Sequence, residues 1–333
     1  MFKTGLLATA IAALTAIGSA AVAETLPSTI PAAERAQWFT VTIPEIKVPQ
    51  INVNIPGRTI GPRLLPWMNP EIADAWRQGY QGQGTYVTVI DSFSGAGMRA
   101  DFGFGSQVRA HGGWTFEQAR LTAPRATMRQ HDLSNNRAVR LQSRRLNVLN
   151  LSYGMFAETG YEDSQLGWSA REASILRYAH GGNAVVVKSA GNDAVAVGSA
   201  TAYGDQDYLA SSLIGAQSAL FVGALDKHGT VEDQARIASY SNIAGSDTRV
   251  QDQFLMVGIR SDLTGLYGTS FAAPTVSGYA AVLGSKFYTA TPTQITNRLL
   301  ETARTDTISD YDRAVHGRGE ASIARALAPA SIR

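Results

Sequence analysis

The chain has 333 residues, of which 44% are hydrophobic and 17% charged, with a formal net charge of +2. That length suits one large domain or two small ones with ample core, and the near-neutral balance implies no nucleic-acid partner. Cysteine is absent, which excludes disulfides, thiolate metal sites and cysteine nucleophiles, and leaves the redox compartment unspecified.

The first residues, "MFKTGLLATAIAALTAIGSAAVAETLP", combine Lys3, an apolar core and a small-residue A-x-A pattern ending at Ala23. This is the layout of a secretory signal peptide over 1–23, cleaved between Ala23 and Glu24. Gly18, Ser19 and the many alanines leave the stretch too weakly apolar for a permanent span, and no later segment is long and apolar enough to be one. Export to the periplasm or the exterior is therefore expected, with no membrane association after cleavage.

Residues 24–60 form an arm. In "FTVTIPEIKVPQINVNIPGRTIG" the prolines recur while Val and Ile alternate, which predicts extended chain, not a helical domain. The arm is too short for an independent core. From 61 to 333 the pattern is that of one domain. Ile72, Ala73 and Trp76 predict a helix in "NPEIADAWRQGY" that stops before the Gly-rich "QGQG". Strands follow in "TYVTVID", "LNVLNLSYG", "AVVVKSAGND", "ALFVGALD" and "QFLMVGI". Helices lie between them, one in "WSAREASILRYAHGG" and one in "WTFEQARLTAP" ending at Pro124. The basic stretch from Arg137 to Arg145 is broken by apolar and polar residues and is expected to be a solvated face before a strand. Nearly continuous apolar strands alternating with helices predict an α/β fold, a parallel sheet with helices on both faces. In such sheets the ligand site lies beyond the carboxyl ends of the strands.

Those strand ends carry chemistry. "TYVTVID" closes on Asp91, "LNVLNLSYG" on Ser152-Tyr153-Gly154, and "AVVVKSAGND" leads to Asn192. "GTSFAAP" brings Ser270 to the start of a helix, where a serine serves as an N-cap or, given a base, as a nucleophile. Of the five histidines, His111 precedes a Gly-Gly pair at the head of a helix between the acid strand and the next strand. His131 and His180 fit equally well as strand-end or helix-end residues, and His228 and His316 lie in loop-like contexts.

Taken in order, "VTVIDS", "HGGWT", "LNLSYG", "VVVKSAGND", "IASYSN" and "YGTSFAAPTVSG" resemble the subtilisin-like serine proteases, the subtilase family, from about Gly61 to the C-terminus. The serine motif matches the family's G-T-S-x-A-x-P in full. The resemblance implies a subtilisin-like doubly wound parallel sheet and a serine endopeptidase. On it, Asp91 is the acid, His111 the general base, Ser270 the nucleophile and Asn192 the oxyanion-hole side chain. It also implies that a peptide or protein substrate adds as a strand alongside Ser152, Tyr153 and Gly154, where Tyr153 is expected to narrow a nearby pocket. Where the family usually shows His-Gly-Thr-His-Val-Ala-Gly, this chain has His111-Gly112-Gly113-Trp114-Thr115-Phe116-Glu117. The segment from His111 to Ala123 is shorter than usual and lacks a loop that helps bind calcium in many relatives. No metal site and no cofactor is expected, and the sequence does not specify the oligomeric state.

Two other classes compete. A catalytically impaired subtilase-like binding module would account for the altered segment after His111. An α/β-hydrolase-type esterase would need a G-x-S-x-G elbow, which the chain lacks, and a serine-first order, where this chain runs acid, base, serine. Glu117 as a replacement base is unnecessary while His111 is present.

Overall fold

Runs rich in valine, leucine and isoleucine form the strands of the central sheet, because β-branched side chains fit a pleated, two-sided buried surface. The computed structural model describes residues 62–332, so the signal segment, the arm and Gly61 lie outside the described residues. In chain order the structure contains α1 (Glu71–Arg77), β1 (Tyr86–Asp91), β2 (Gly97–Ala100), β3 (Gln107–Ala110), α2 (His111–Thr122), β4 (Thr127–Asp132) and β5 (Asn147–Leu151). Next come β6 (Phe156–Glu158), α3 (Ala170–His180), β7 (Val185–Ser189), β8 (Asp205–Asp207), α4 (Tyr208–Leu213), β9 (Ala219–Leu225), α5 (Thr248–Gln253) and β10 (Phe254–Gly258). The remainder is helical: α6 (Ser261–Thr264), α7 (Ala273–Lys286), α8 (Pro292–Glu301), α9 (Arg313–His316) and α10 (Ile323–Leu327).

The central sheet has six strands in the order β10-β9-β7-β5-β1-β4, all parallel. The chain steps outward from β1 to β4, then crosses to β5 on the other flank of β1. The topological switch point therefore lies between β1 and β5, where ligand sites of doubly wound sheets form. Two small antiparallel pairs, β2 with β3 and β6 with β8, are added outside this sheet.

Strand residues alternate between two cores, as the period of two requires. Val87, Val89, Val148, Val185, Val187, Leu220 and Val222 face one core with α2 and α7, while Ile90, Leu149, Leu151, Val186 and Phe221 face the other with α3 and α4. Helix α7 is buried continuously from Ala273 to Gly284, so it is the central helix, and its N-terminus is fixed in place by packing on all sides. Local signals set the boundaries elsewhere. Ser169 caps α3 by accepting from the Arg171 N–H, and Thr291 and Gln294 form a reciprocal capping box on α8.

The α/β expectation holds, and the five sequence-predicted strands are β1, β5, β7, β9 and β10 of the central sheet. The sixth strand, β4, reads "TMRQHD" and sits at the sheet edge, only partly buried, so it lacks an apolar pattern. Helix α2 begins earlier than its hydrophobic spacing indicates, at His111 itself, and ends at Thr122 before Pro124.

Candidate active site

Asp91 closes β1 and is 1% exposed. Its Oδ1 accepts from the Ser92 N–H at 2.7 Å and faces His111 Nδ1 at 2.6 Å, while Oδ2 accepts from the Thr115 hydroxyl at 2.9 Å. A carboxylate facing Nδ1 keeps the proton of the neutral imidazole there, which makes Nε2 the basic nitrogen.

His111 is the first residue of α2, and its position is set by the backbone. The Gly112 N–H donates to Ser92 O at 2.8 Å, stitching the helix start to the end of β1. A Cβ at residue 112 would lie 2.6 Å from that same carbonyl oxygen, so only glycine permits the approach. The His111 ring packs against Phe271, with centroids 5.5 Å apart.

Ser270 lies in the 3-10 turn Thr269–Phe271 that leads into α7, and is 1% exposed. Its hydroxyl donates to Ser152 O at 3.3 Å, and the Ser152 hydroxyl donates to Ser270 O at 2.9 Å. Behind this reciprocal pair, Asn150 Nδ2 donates to Ser152 Oγ and Ser277 Oγ donates to Asn150 Oδ1, each at 3.0 Å. No side chain caps the 3-10 turn or α7, so Ser270 is not a helix cap.

Asn192 follows β7 and is tied to the same turn. Its Oδ1 accepts from the Thr269 N–H at 2.8 Å and from the Thr269 hydroxyl at 3.0 Å. An N–H only donates, so the amide oxygen faces Thr269 and Nδ2 is the outward donor. Gly268, with φ 118 and ψ 150, occupies backbone space that favours glycine. Two strand ends and two helix starts thus bring Asp91, His111, Asn192 and Ser270 to the switch-point rim.

Ser152, Tyr153 and Gly154 continue β5 and are all buried. The Tyr153 side chain does not narrow a pocket as the sequence suggested. It turns into the core and its hydroxyl donates to Glu172 Oε1 at 3.2 Å, beside the Arg171–Glu172 ion pair. Burial, and then the Glu172 charge, hold the phenol well above its ordinary pKa.

The other histidines are engaged elsewhere. His131 meets Asn135 O, His180 meets Ser212 O, His228 meets Trp67 O and His316 sits against the Asp312 backbone. Glu117 pairs with Arg120 at 2.6 Å. Among the described residues no group of three or more His, Asp or Glu side chains is gathered to hold a metal ion.

Sequence reasoning missed Thr115, Gln118, Asn150 and Ser277. The first two were detectable, because a helix starting at His111 carries residues 115 and 118 on the same face. The last two were not, since a buried Asn or Ser in an apolar run gives no sign of its partner.

The subtilase family matches residues 106–319, a span that includes His111, Ser152 to Gly154, Asn192 and Ser270, with Asp91 preceding it. The chain belongs to the subtilase family of serine proteases. No curated protein matches it. Among solved structures it is similar to the prenylagaramide maturation protease PagA, with 20% identity, a TM-score of 0.47, and coverage of 78% of this chain and 98% of that one. It is also similar to a lanthipeptide protease, with 16% identity, a TM-score of 0.49, and coverage of 78% and 93%. A third is the MycP3 protease from the type VII (ESX-3) secretion system, with 20% identity, a TM-score of 0.47, and coverage of 79% and 90%. Among the described residues no helix is long and apolar enough to cross a membrane.

Proposed function

We propose that the protein is an exported serine endopeptidase that hydrolyses peptide bonds through an acyl-enzyme, with Asp91, His111 and Ser270 as its triad. The observation that carries this reading is the 2.6 Å contact of Asp91 with His111 Nδ1, on a ring packed beside the turn that bears Ser270. A serine hydroxyl is a weak nucleophile until a base takes its proton, and the imidazole needs an acid to fix its tautomer and stabilise its cation.

In the first half-reaction Ser270 Oγ bonds to the scissile carbonyl carbon while its proton passes to His111. The oxyanion that forms is met by Asn192 Nδ2 and the Ser270 N–H, donors fixed in place before the charge develops. Collapse breaks the C–N bond, and the amine leaves with the proton from His111. Water then repeats the sequence on the ester and restores Ser270. Substrate pairs with the main chain of Ser152, Tyr153 and Gly154 as an added strand. Export rests on the N-terminal signal pattern, which lies outside the described residues.

The test is cleavage of an unbiased peptide mixture in ¹⁸O-labelled water. The wild-type protein generates new C-termini carrying the label, and Ser270→Ala generates none. Cleavage that persists in Ser270→Ala, or a folded wild-type protein that cleaves nothing, contradicts the reading and favours a binding module.

A further inference from the structure

Helix α2 carries a polar stripe of His111, Thr115, Gln118 and Thr122 on one face, in a segment that departs from the family pattern after Gly112. Thr115 reaches back to the acid. Gln118 reaches forward to the nucleophile turn. Its Nε2 donates to Phe271 O at 2.6 Å and to Thr275 Oγ1 at 2.9 Å. A backbone carbonyl only accepts, so the atom facing Phe271 is the amide nitrogen and both of its protons are used. The amide oxygen is buried and has no partner among the described residues. An apolar residue of the same size would fill the space but make neither of these two bonds. The chain keeps the amide where its two donors bridge the helix of the base to the junction between the 3-10 turn and α7.

We propose that Gln118 is a positioning residue that sets the register between α2 and the Ser270 turn, and so the meeting of His111 with Ser270. This rests on the reading of those two residues as base and nucleophile. The bridge spans the junction directly: Phe271 is the residue after Ser270, and Thr275 lies in the first turn of α7. The remaining contact between α2 and α7 includes side-chain packing such as Thr122 against Gly278, which tolerates small sliding. A shift near 1 Å between reacting groups lowers rates by about 100-fold.

The experiment is the kinetics of fluorophosphonate labelling, resolved into the binding constant KI and the bonding rate kinact. Gln118→Met keeps the volume, removes both donors and also removes the unsatisfied oxygen, so the fold should persist. Its kinact should fall at least about 10-fold with KI within about 2-fold, in a protein that still melts cooperatively, at a lower temperature because Phe271 O and Thr275 Oγ1 lose their donor. Arg120→Ala, on the exposed side of the same helix, should label like the wild type. A Gln118→Met protein that labels at the wild-type rate, or whose loss lies wholly in KI, overturns the proposal. If that variant does not fold, Thr275→Val carries the test, since it keeps the shape and removes one acceptor. It should lower kinact several-fold, and an unchanged kinact would overturn the bridge. A wild-type protein that fails to label at all refutes instead the assignment of His111 and Ser270.

Discussion

Adding one methyl group at residue 112 tests whether the backbone holds His111 in place. In Gly112→Ala the new Cβ would stand 2.6 Å from Ser92 O and 3.0 Å from both Asp91 Cβ and Ser92 C. Ordinary contact begins at 3.4 Å, so the start of α2 must retreat by about 0.8 Å. None of the three crowded atoms is the free end of a flexible side chain, which leaves no cheap relief. The retreat lengthens the Gly112 N–H to Ser92 O bond and draws His111 away from the turn that carries Ser270. Misplacement on that scale lowers labelling by about 100-fold, while overpacking of this kind costs about 1–3 kcal/mol of stability. The assay compares fluorophosphonate labelling rates with thermal melting for the purified variant. Labelling at the wild-type rate would refute the argument, and so would a loss that only tracks the unfolded fraction.

Other outcomes follow from the same geometry. Ser270→Ala and His111→Ala should each abolish labelling in a folded protein. Peptide hydrolysis in the double variant should be little lower than in either single one, because members of one catalytic unit are not additive. Asn192→Ala should lower kcat by about 100- to 1000-fold with little change in KM, as expected for a donor that meets charge only in the transition state. His316 has its pKa lowered below 6.5 by burial. The unfolded chain therefore binds the proton more readily, so stability present above pH 6.5 is lost as pH falls through the folded value. Melting curves of His316→Gln between about pH 7 and about pH 5 should show a smaller loss than the wild type. Deleting Glu24 to Pro56 should leave a protein that folds and labels. An inactive aggregate that recovers when the arm is supplied in trans would show instead that the arm is a folding prosegment.

The fold was largely legible because burial leaves a mark on composition. Strands covered on both faces need apolar residues throughout, and β1, β5, β7, β9 and β10 carry them. Edge strand β4 has one flank without a neighbour and little need for such residues, so "TMRQHD" was not among the strands read from the sequence. The candidate site was legible at its strand ends and in the serine motif, where the residue types are constrained by chemistry. It was not legible in Tyr153, whose direction depends on the buried Arg171–Glu172 pair contributed by a helix nearly twenty residues further on. Nor did an isolated motif disclose Asn150, whose role arises only when Ser277 of α7 is laid across β5. The altered segment after His111 suggested impairment. In the structure it brings Thr115 to Asp91 and Gln118 to the turn that bears Ser270, so departure from the family pattern is not by itself a sign of a dead site.

Mapping the fluorophosphonate adduct by mass spectrometry on the folded protein without its signal segment tests the triad assignment at the atom that reacts. A single adduct is expected on Ser270, within the peptide that contains "GTSFAAP", and no adduct in His111→Ala. An adduct on another serine, or labelling of Ser270 that is unchanged when His111 is removed, would contradict that assignment.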